Sequence, residues 1–379
     1  MTSMASNSVH PLPMETVQKQ PSALMAEAGS ADKAKSRLPF LDFVRAIASQ
    51  CIVLHHLVFY GPLPERAYAA MPVLFDWLYD NARMAVQVFF VVGGFFTGRG
   101  LCRAKPLSAK SVATAVWARY RRIGFPYLAA LAVAIIANEV ARNWMTHEAI
   151  SERPTIMQLL AHAAFMHDIL GFQALSAGIW YLAIDFQLFL TTLGLFWLVQ
   201  AWICKPNSPD KRESYMALLR LMAPLALASL FWFNRHAKYN IWAIYFVGAY
   251  YLGMVLYAVL EQSLKLSWAA FYLFLVILAG IIDPRPRLFV AAGTAILVYV
   301  AARTGVLGAW PKNRVINYFG RISYSLFLIH FPVLLVVNAW GSTHLMATTS
   351  SAMCGLVVAY VLSLGAGIAL YHGVESRIR

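Results

Sequence analysis

Residues 40–60 read FLDFVRAIASQCIVLHHLVFY, an apolar stretch of lipid-spanning length that carries Asp42, Arg45, His55 and His56. At a helical rise of about 1.5 Å per residue it extends about 31 Å, enough to cross a hydrocarbon core. Charged side chains there are costly, and membrane helices keep them mainly facing a bundle interior, a cavity or a reaction path. Arg45 and His56 are eleven residues apart, so they share one helical face and lie about 16 Å apart along the axis. Asp42 stands three residues before Arg45, close enough to pair with it and lower the cost of both charges. Two readings remain open: a structural ion pair beside a hydrogen-bonded histidine, or a reactive stripe through the membrane. His55, about 100° round the helix, is the weaker candidate.

Composition supports the membrane reading. The chain has 379 residues, 60% hydrophobic and 13% charged, with a mean hydropathy of +0.60; soluble domains carry about 25% charged residues. The pattern predicts an all-α integral membrane protein, a polytopic bundle of about ten transmembrane helices. The segments run Phe40–Tyr60, Arg83–Leu101, Arg122–Trp144, Gly178–Cys204, Tyr215–Asn234, Ile241–Leu260, Leu266–Ile282, Leu288–Thr304, Phe319–Trp340 and Ala352–Gly373. Residues 1–37 form a polar tail without the apolar core of a signal peptide and are expected to be a disordered cytoplasmic tail. Residues 38–379 form one transmembrane domain, with no soluble domain expected after it.

The net charge of +14 reads as topology rather than as a nucleic-acid surface. With the amino terminus inside, the tails and even-numbered loops hold twenty-one Lys and Arg. The odd-numbered loops hold eight: Arg66, Arg83, Arg142, Arg153, Arg235, Lys238, Arg285 and Arg287. The positive-inside rule then places both termini in the cytoplasm. In the long outer loop, Met145 to Ala177, the run Ile156 to Phe172 is expected to form an interfacial or re-entrant helix. Cys51, Cys102, Cys204 and Cys354 have no paired spacing and read as small core residues. His162 and His167 lack a third ligand, so no metal is expected.

Other polar residues interrupt the apolar segments. FFVVGGFFTG, residues 89–98, has glycines that permit close approach of a helix or a ligand. Arg119 and Arg122 stand one helical turn apart, a spacing suited both to a grip on phosphate oxygens and to a topogenic cluster. Asp185 lies about two turns into the fourth segment and needs a partner; His330 lies mid-helix beside Pro332.

Taken in order, these stretches resemble the motifs of the acyltransferase-3 family of membrane O-acyltransferases, over nearly all of residues 38–379. LDFVRA with Arg45 and His56 is similar to the family's LDxxRA and Arg-x10-His. FFVVGGFF resembles FFxxSGFF, with Gly93 for the serine, and Arg119-x-x-Arg122 matches RxxR. WYLAIDFQLFL resembles WSLxxExQFYL, with Asp185 for the glutamate. FGRISYSLFLIHFP resembles LGxxSYxxYLxHxP, and Glu375-Ser-Arg resembles the terminal E-x-P/R. The resemblance implies transfer of an acyl group, usually acetyl, from cytoplasmic acyl-CoA to a hydroxyl of a surface carbohydrate or glycolipid. It implies catalytic roles for His56, Arg45 and Asp42, and CoA binding by Arg119, Arg121 and Arg122. Trp180, Asp185, Ser323 and His330 become positions for acceptor contact or support. A secondary transporter is the competing class, since it also uses intramembrane charges and broken helices, but no convincing repeat relates the two five-helix halves.

Overall fold

The computed structural model describes residues 38–104, 106–202, 211–345 and 347–378. The expected tail, residues 1–37, and Cys204 lie outside them. The described residues form helices and turns without a strand. In chain order the helices are α1 (Pro39–Phe59), α2 (Pro62–Ala67), α3 (Pro72–Asn81), α4 (Val86–Arg103), α5 (Ala109–Arg142) and α6 (Ile156–Ala163). There follow α7 (Ile179–Trp202), α8 (Lys211–Phe231), α9 (Val247–Leu260), α10 (Leu266–Ile282) and α11 (Pro286–Arg303). The last four are α12 (Val306–Ala309), α13 (Arg314–His344), α14 (Thr349–Leu370) and α15 (Ser376–Ile378). Eight helical stretches are long and apolar enough to cross a membrane, and α9 and α10 are apolar but shorter. All ten fall where the hydropathy pattern puts a segment, so the protein is an all-α polytopic membrane protein.

Three local differences matter for the site. First, α5 begins thirteen residues before the expected Arg122. The Ser108 hydroxyl accepts from the Ser111 amide, and the Ser111 side chain accepts in turn from the Ser108 amide, a capping box that starts a 34-residue helix. Arg119, Arg121 and Arg122 therefore sit on a helix and not in a loop. Second, residues 243–245 make a 3-10 turn and α9 starts only at Val247. It is buried all round from Val247 to Ala258, enclosed by other helices rather than by lipid. Third, the run 156–172 is helical only to Ala163 and then folds inward, burying Phe165, which adopts a positive φ of 57°.

The centre of the bundle is α13, which packs on α1, α5 and α14. The Ser49 hydroxyl donates to the Ser323 carbonyl at 2.9 Å, and His56 meets His330 at 2.7 Å. Both pairs are separated by 274 residues, so α1 and α13 run parallel and in register. A second close contact joins α4 to α9. A Cβ on Gly94 would fall 1.9 Å from the Tyr250 carbonyl oxygen, and one on Gly253 would fall 1.9 Å from that of Val91. Close approach of two helices is the use the structure makes of Gly94. Large apolar side chains such as Phe271, Phe274, Ile296, Val357 and Val361 point outward, the surface that lipid would cover. Cys51 and Cys102 are half-buried and Cys354 is exposed, so Cys354 is not a core residue and the other two are only partly enclosed.

Gly94→Ala and Gly253→Ala force a methyl group into main chain and are each expected to cost about 2 kcal/mol or more. Gly293→Ala meets nothing within 4 Å and should be neutral or stabilising by about 0.5 kcal/mol through its helix propensity. Thermal unfolding in detergent micelles compares the three.

Candidate functional site

Loops that the hydropathy pattern numbers as odd converge on one face of the bundle. Residues 59–60, 83–86, 148–151, 173–181 and 240 enclose a cavity of about 560 Å³. Its walls include Phe59, Tyr60, Trp180, Tyr181, Phe327 and Phe331, with Arg83 and Glu148 supplying charge and His55 and His56 at its inner side. An adjoining cavity of about 670 Å³ shares Arg83, Val86, Ala174, Trp180 and Asn240 with the first, and continues to Tyr245, Phe246, Arg285 and Arg287.

His56 and His330, both buried, are the chemical centre of the first cavity. Nδ1 of His56 lies 2.7 Å from Nε2 of His330. The ring planes differ by 8° and the centroids are 5.0 Å apart, so the imidazoles meet end to end in nearly one plane. His330 Nδ1 lies 2.8 Å from the Phe327 carbonyl oxygen. A carbonyl only accepts, so in a neutral pair Nδ1 of His330 carries its hydrogen and Nε2 is a lone pair. That lone pair accepts from Nδ1–H of His56. The Nε2 of His56 is therefore left unprotonated, and it makes no hydrogen bond within the described chain. The Phe327 carbonyl thus sets the tautomer two residues away. Gly178 completes the site: its φ is +78°, and a Cβ there would press on Phe327 at 3.1 Å and on the His56 ring at 3.4 Å.

His55 points elsewhere, with Nδ1 3.1 Å from the Leu78 carbonyl. Ser323 donates to the Gly320 carbonyl and takes the Ser49 hydroxyl on its own carbonyl, so it joins helices and does not line the cavity. Trp180 lines both cavities.

A second polar group lies deeper. Arg119 donates to Asp185 at 2.5 Å, with side-chain exposures of 22% and 9%, and its guanidinium also lies over the Phe189 ring. Arg119 is therefore engaged within the bundle, while Arg121 and Arg122 are exposed on α5. The other carboxylate oxygen of Asp185 is buried without a hydrogen-bond partner and would lie 3.0 Å from a Cβ on Gly93. The positions where the motifs carry serine and glutamate are thus in contact here as glycine and aspartate. Tyr181 links the two polar groups: it lines the His56 cavity and is within electrostatic reach of Asp185, Arg45 and Arg119. Arg45 and Asp42 make a loose pair at 4.0 Å, both partly exposed. Glu375 accepts from the Ser325 hydroxyl at 2.6 Å, tying the terminal motif to α13.

His162 and His167 clasp the long loop between α5 and α7. His162 Nδ1–H donates to the Gln158 carbonyl at 2.8 Å, and its Nε2 accepts from the Leu175 amide at 3.3 Å. Its ring stacks on His167 with centroids 4.2 Å apart, and His167 Nε2 stands 3.4 Å from Asp168. This clasp holds the segment that ends in Ser176, Ala177 and Gly178, a wall of the His56 cavity. Burial pushes both imidazoles down to about 4, with the His167 charge adding to the effect on His162. Burial likewise raises Asp168. Among the described residues no three His, Cys, Asp or Glu side chains converge into a metal-binding group.

Sequence reasoning nominated His56 and His330 separately but had no signal for their contact across 274 residues. It missed Tyr181 and Glu148, and counted Arg83 only as a topological charge. An arginine against the charge bias at the start of an apolar segment was the available signal. The family model described as an acyltransferase domain matches residues 38–372. No curated protein and no solved structure matches the chain.

Asp185→Asn leaves Arg119 without its counter-ion and is expected to cost about 3 kcal/mol, whereas Arg119→Gln with Asp185→Asn should recover most of that loss. Unfolding in mixed micelles measures both. The clasp predicts a pH effect as well. The two imidazoles are depressed from their ordinary 6.5, so the opened loop binds protons that the closed loop does not. The stabilisation is complete above pH 6.5 and is lost as pH falls towards 4. Hydrogen-exchange protection at the Leu175 amide should fall across that window, and His162→Gln should flatten the fall.

Proposed function

We propose, on the premise that this chain belongs to the acyltransferase-3 family, that it uses His56 as general base to acylate a carbohydrate hydroxyl at the outer face. Family membership makes it a membrane acyltransferase. The acyl group is acetyl, the donor cytoplasmic acetyl-CoA and the acceptor a surface or exported carbohydrate or glycolipid. The observation that carries this reading is the tautomer chain from the Phe327 carbonyl through His330 to His56, which leaves a lone pair at Nε2 on a cavity wall.

The chemistry follows from that atom. An alcohol is too weak a nucleophile near neutral pH to attack a thioester unaided, and imidazole titrates in the useful range. Nε2 of His56 takes the hydroxyl proton as the oxygen bonds to the thioester carbonyl carbon. When the tetrahedral intermediate collapses, the carbon–sulfur bond breaks and the imidazolium returns the proton to the CoA thiolate. His330 holds the imidazole in the required tautomer and disperses its transient charge through the Nδ1 hydrogen bond. Aromatic walls at Tyr60, Trp180 and Phe331 suit the apolar faces of a sugar ring.

The donor side falls to the deeper group. Arg45 and His56 stand about 16 Å apart on a continuous helix, too far to act on one atom, so Arg45 attends the pantetheine arm and not the oxyanion. Arg121 and Arg122, exposed on α5, supply charge for the CoA phosphates, and Arg119 holds α5 to α7 through Asp185. Tyr181 stands between the two polar groups, so the pantetheine arm reaches past it to bring the thioester to His56 while the CoA phosphates stay on the inner side.

Acetyl-CoA turnover by the purified chain in detergent, followed as thiol release, tests the reading. His56→Ala should lower kcat by about 10²-fold or more with acetyl-CoA binding retained. His330→Ala should lower kcat by at least about tenfold, leave KM for acetyl-CoA unchanged and shift the pH profile of kcat. Wild-type turnover in His56→Ala would remove the imidazole from the chemistry.

A further inference from the structure

The two outer cavities form one cleft with charge at both ends. We propose that this cleft recognises an acceptor carrying an anionic group, a carboxylate or a phosphate, held by Arg83 and Arg287 beyond the sugar that His56 acylates. The inference rests on the reading of the first cavity as the acceptor site.

The basic residues of this face are otherwise employed. Arg66 donates to the Ala347 carbonyl. Arg142 and Arg153 both bind Glu139, and Arg235 and Arg285 both meet Asp283. Lys238 lies over the Tyr239 ring. Arg285 is buried, with its guanidinium spent on carbonyls of Leu230 and Ala279 and on Asn234. Arg83 is different: it is exposed, lines both cavities, and its side chain makes no hydrogen bond or ion pair among the described residues. Arg287 is anchored, its guanidinium over Tyr245 and donating to the Asn234 carbonyl, but its Nε is buried without a partner. The two guanidinium groups thus flank the second cavity with donors to spare, and planar forks suit oxyanions.

Acidic groups fix the direction. Asp168, the acid lining the second cavity, stands against His167. Glu148 lines the first cavity with His56 and does not pair with Arg83. A neutral ring is favoured beside Glu148 and His56, and an anion is favoured towards Arg83 and Arg287. That polarity presents one end of the acceptor to the base. An unpaired arginine at this spot also runs against the positive-inside bias, an expense that ligand binding explains.

Calorimetry on the purified full chain in detergent at low salt tests this without turnover. A galacturonic-acid hexamer and maltohexaose have six rings each and differ in their carboxylates, and a short polyprenyl phosphate forms a third arm. An anionic probe should bind more tightly than maltohexaose by about tenfold or more, the scale of a charge-assisted hydrogen bond. Arg83→Gln or Arg287→Gln should erase that preference, while Arg66→Gln preserves it. Preference for the hexamer assigns the anion to the glycan, and preference for the polyprenyl phosphate alone assigns it to a lipid carrier. Equal binding of all three probes, or a preference that survives both Arg83→Gln and Arg287→Gln, overturns the proposal. Anion preference with no acetyl transfer to any hydroxyl would leave this site standing and sink the acyltransfer reading instead.

Discussion

The parallel, in-register contact between α1 and α13 is the constraint on which the rest of the site depends. Ser49 bonding to the Ser323 carbonyl and His56 meeting His330 are two rungs of one ladder. A slip of one residue would rotate His330 by about 100° away from its partner. Nδ1 of His56 and Nε2 of His330 would then be buried polar atoms without a partner, a costly state in a dry interior. The same ladder orients the lone pair of His56 and places it on the cavity wall. Packing and chemistry therefore share one geometry.

The deeper polar group shows how such an interior tolerates charge. Arg119 and Asp185 come from different helices, and their ion pair joins α5 to α7 beside the Tyr120–Phe186 ring contact. Gly93 and Asp185, the two positions that differ from the motifs this chain resembles, touch each other. A shorter acid sits against a residue without a side chain, and a Cβ at Gly93 would be only 3.0 Å from a carboxylate oxygen. Tyr181 borders both this group and the His56 cavity, which joins the two polar regions of the bundle.

On the face that carries the cavities, walls are built largely from loops, and the structure stiffens them with buried polar contacts. His162 reaches main chain on both of its nitrogens. Phe165 holds a left-handed conformation within an aromatic cluster that includes Tyr127 and Phe186; about 1–3 kcal/mol of backbone strain is typical of such positions. These contacts keep Gly178 against His56. The wall behind His56 is thus as firmly positioned as the imidazole itself.

The sequence by itself determined the membrane class, the places of the ten segments and the motifs that mark the family, because hydropathy and local spacing are one-dimensional signals. It also nominated Arg45, His56, Asp185 and His330, since an ionisable group in an apolar helix is conspicuous without a structure. The capping box at Ser108 was legible too, and reading it would have moved Arg119 from a loop onto a helix. Only the tertiary structure decided the partners. His56 finds His330 across 274 residues and Arg119 finds Asp185 across 66, distances over which no periodicity carries information. The tautomer depends on a main-chain carbonyl that has no residue-type signature. The cleft exists only where several loops meet, and the isolation of Arg83 emerges only after every neighbouring cation has found its acceptor.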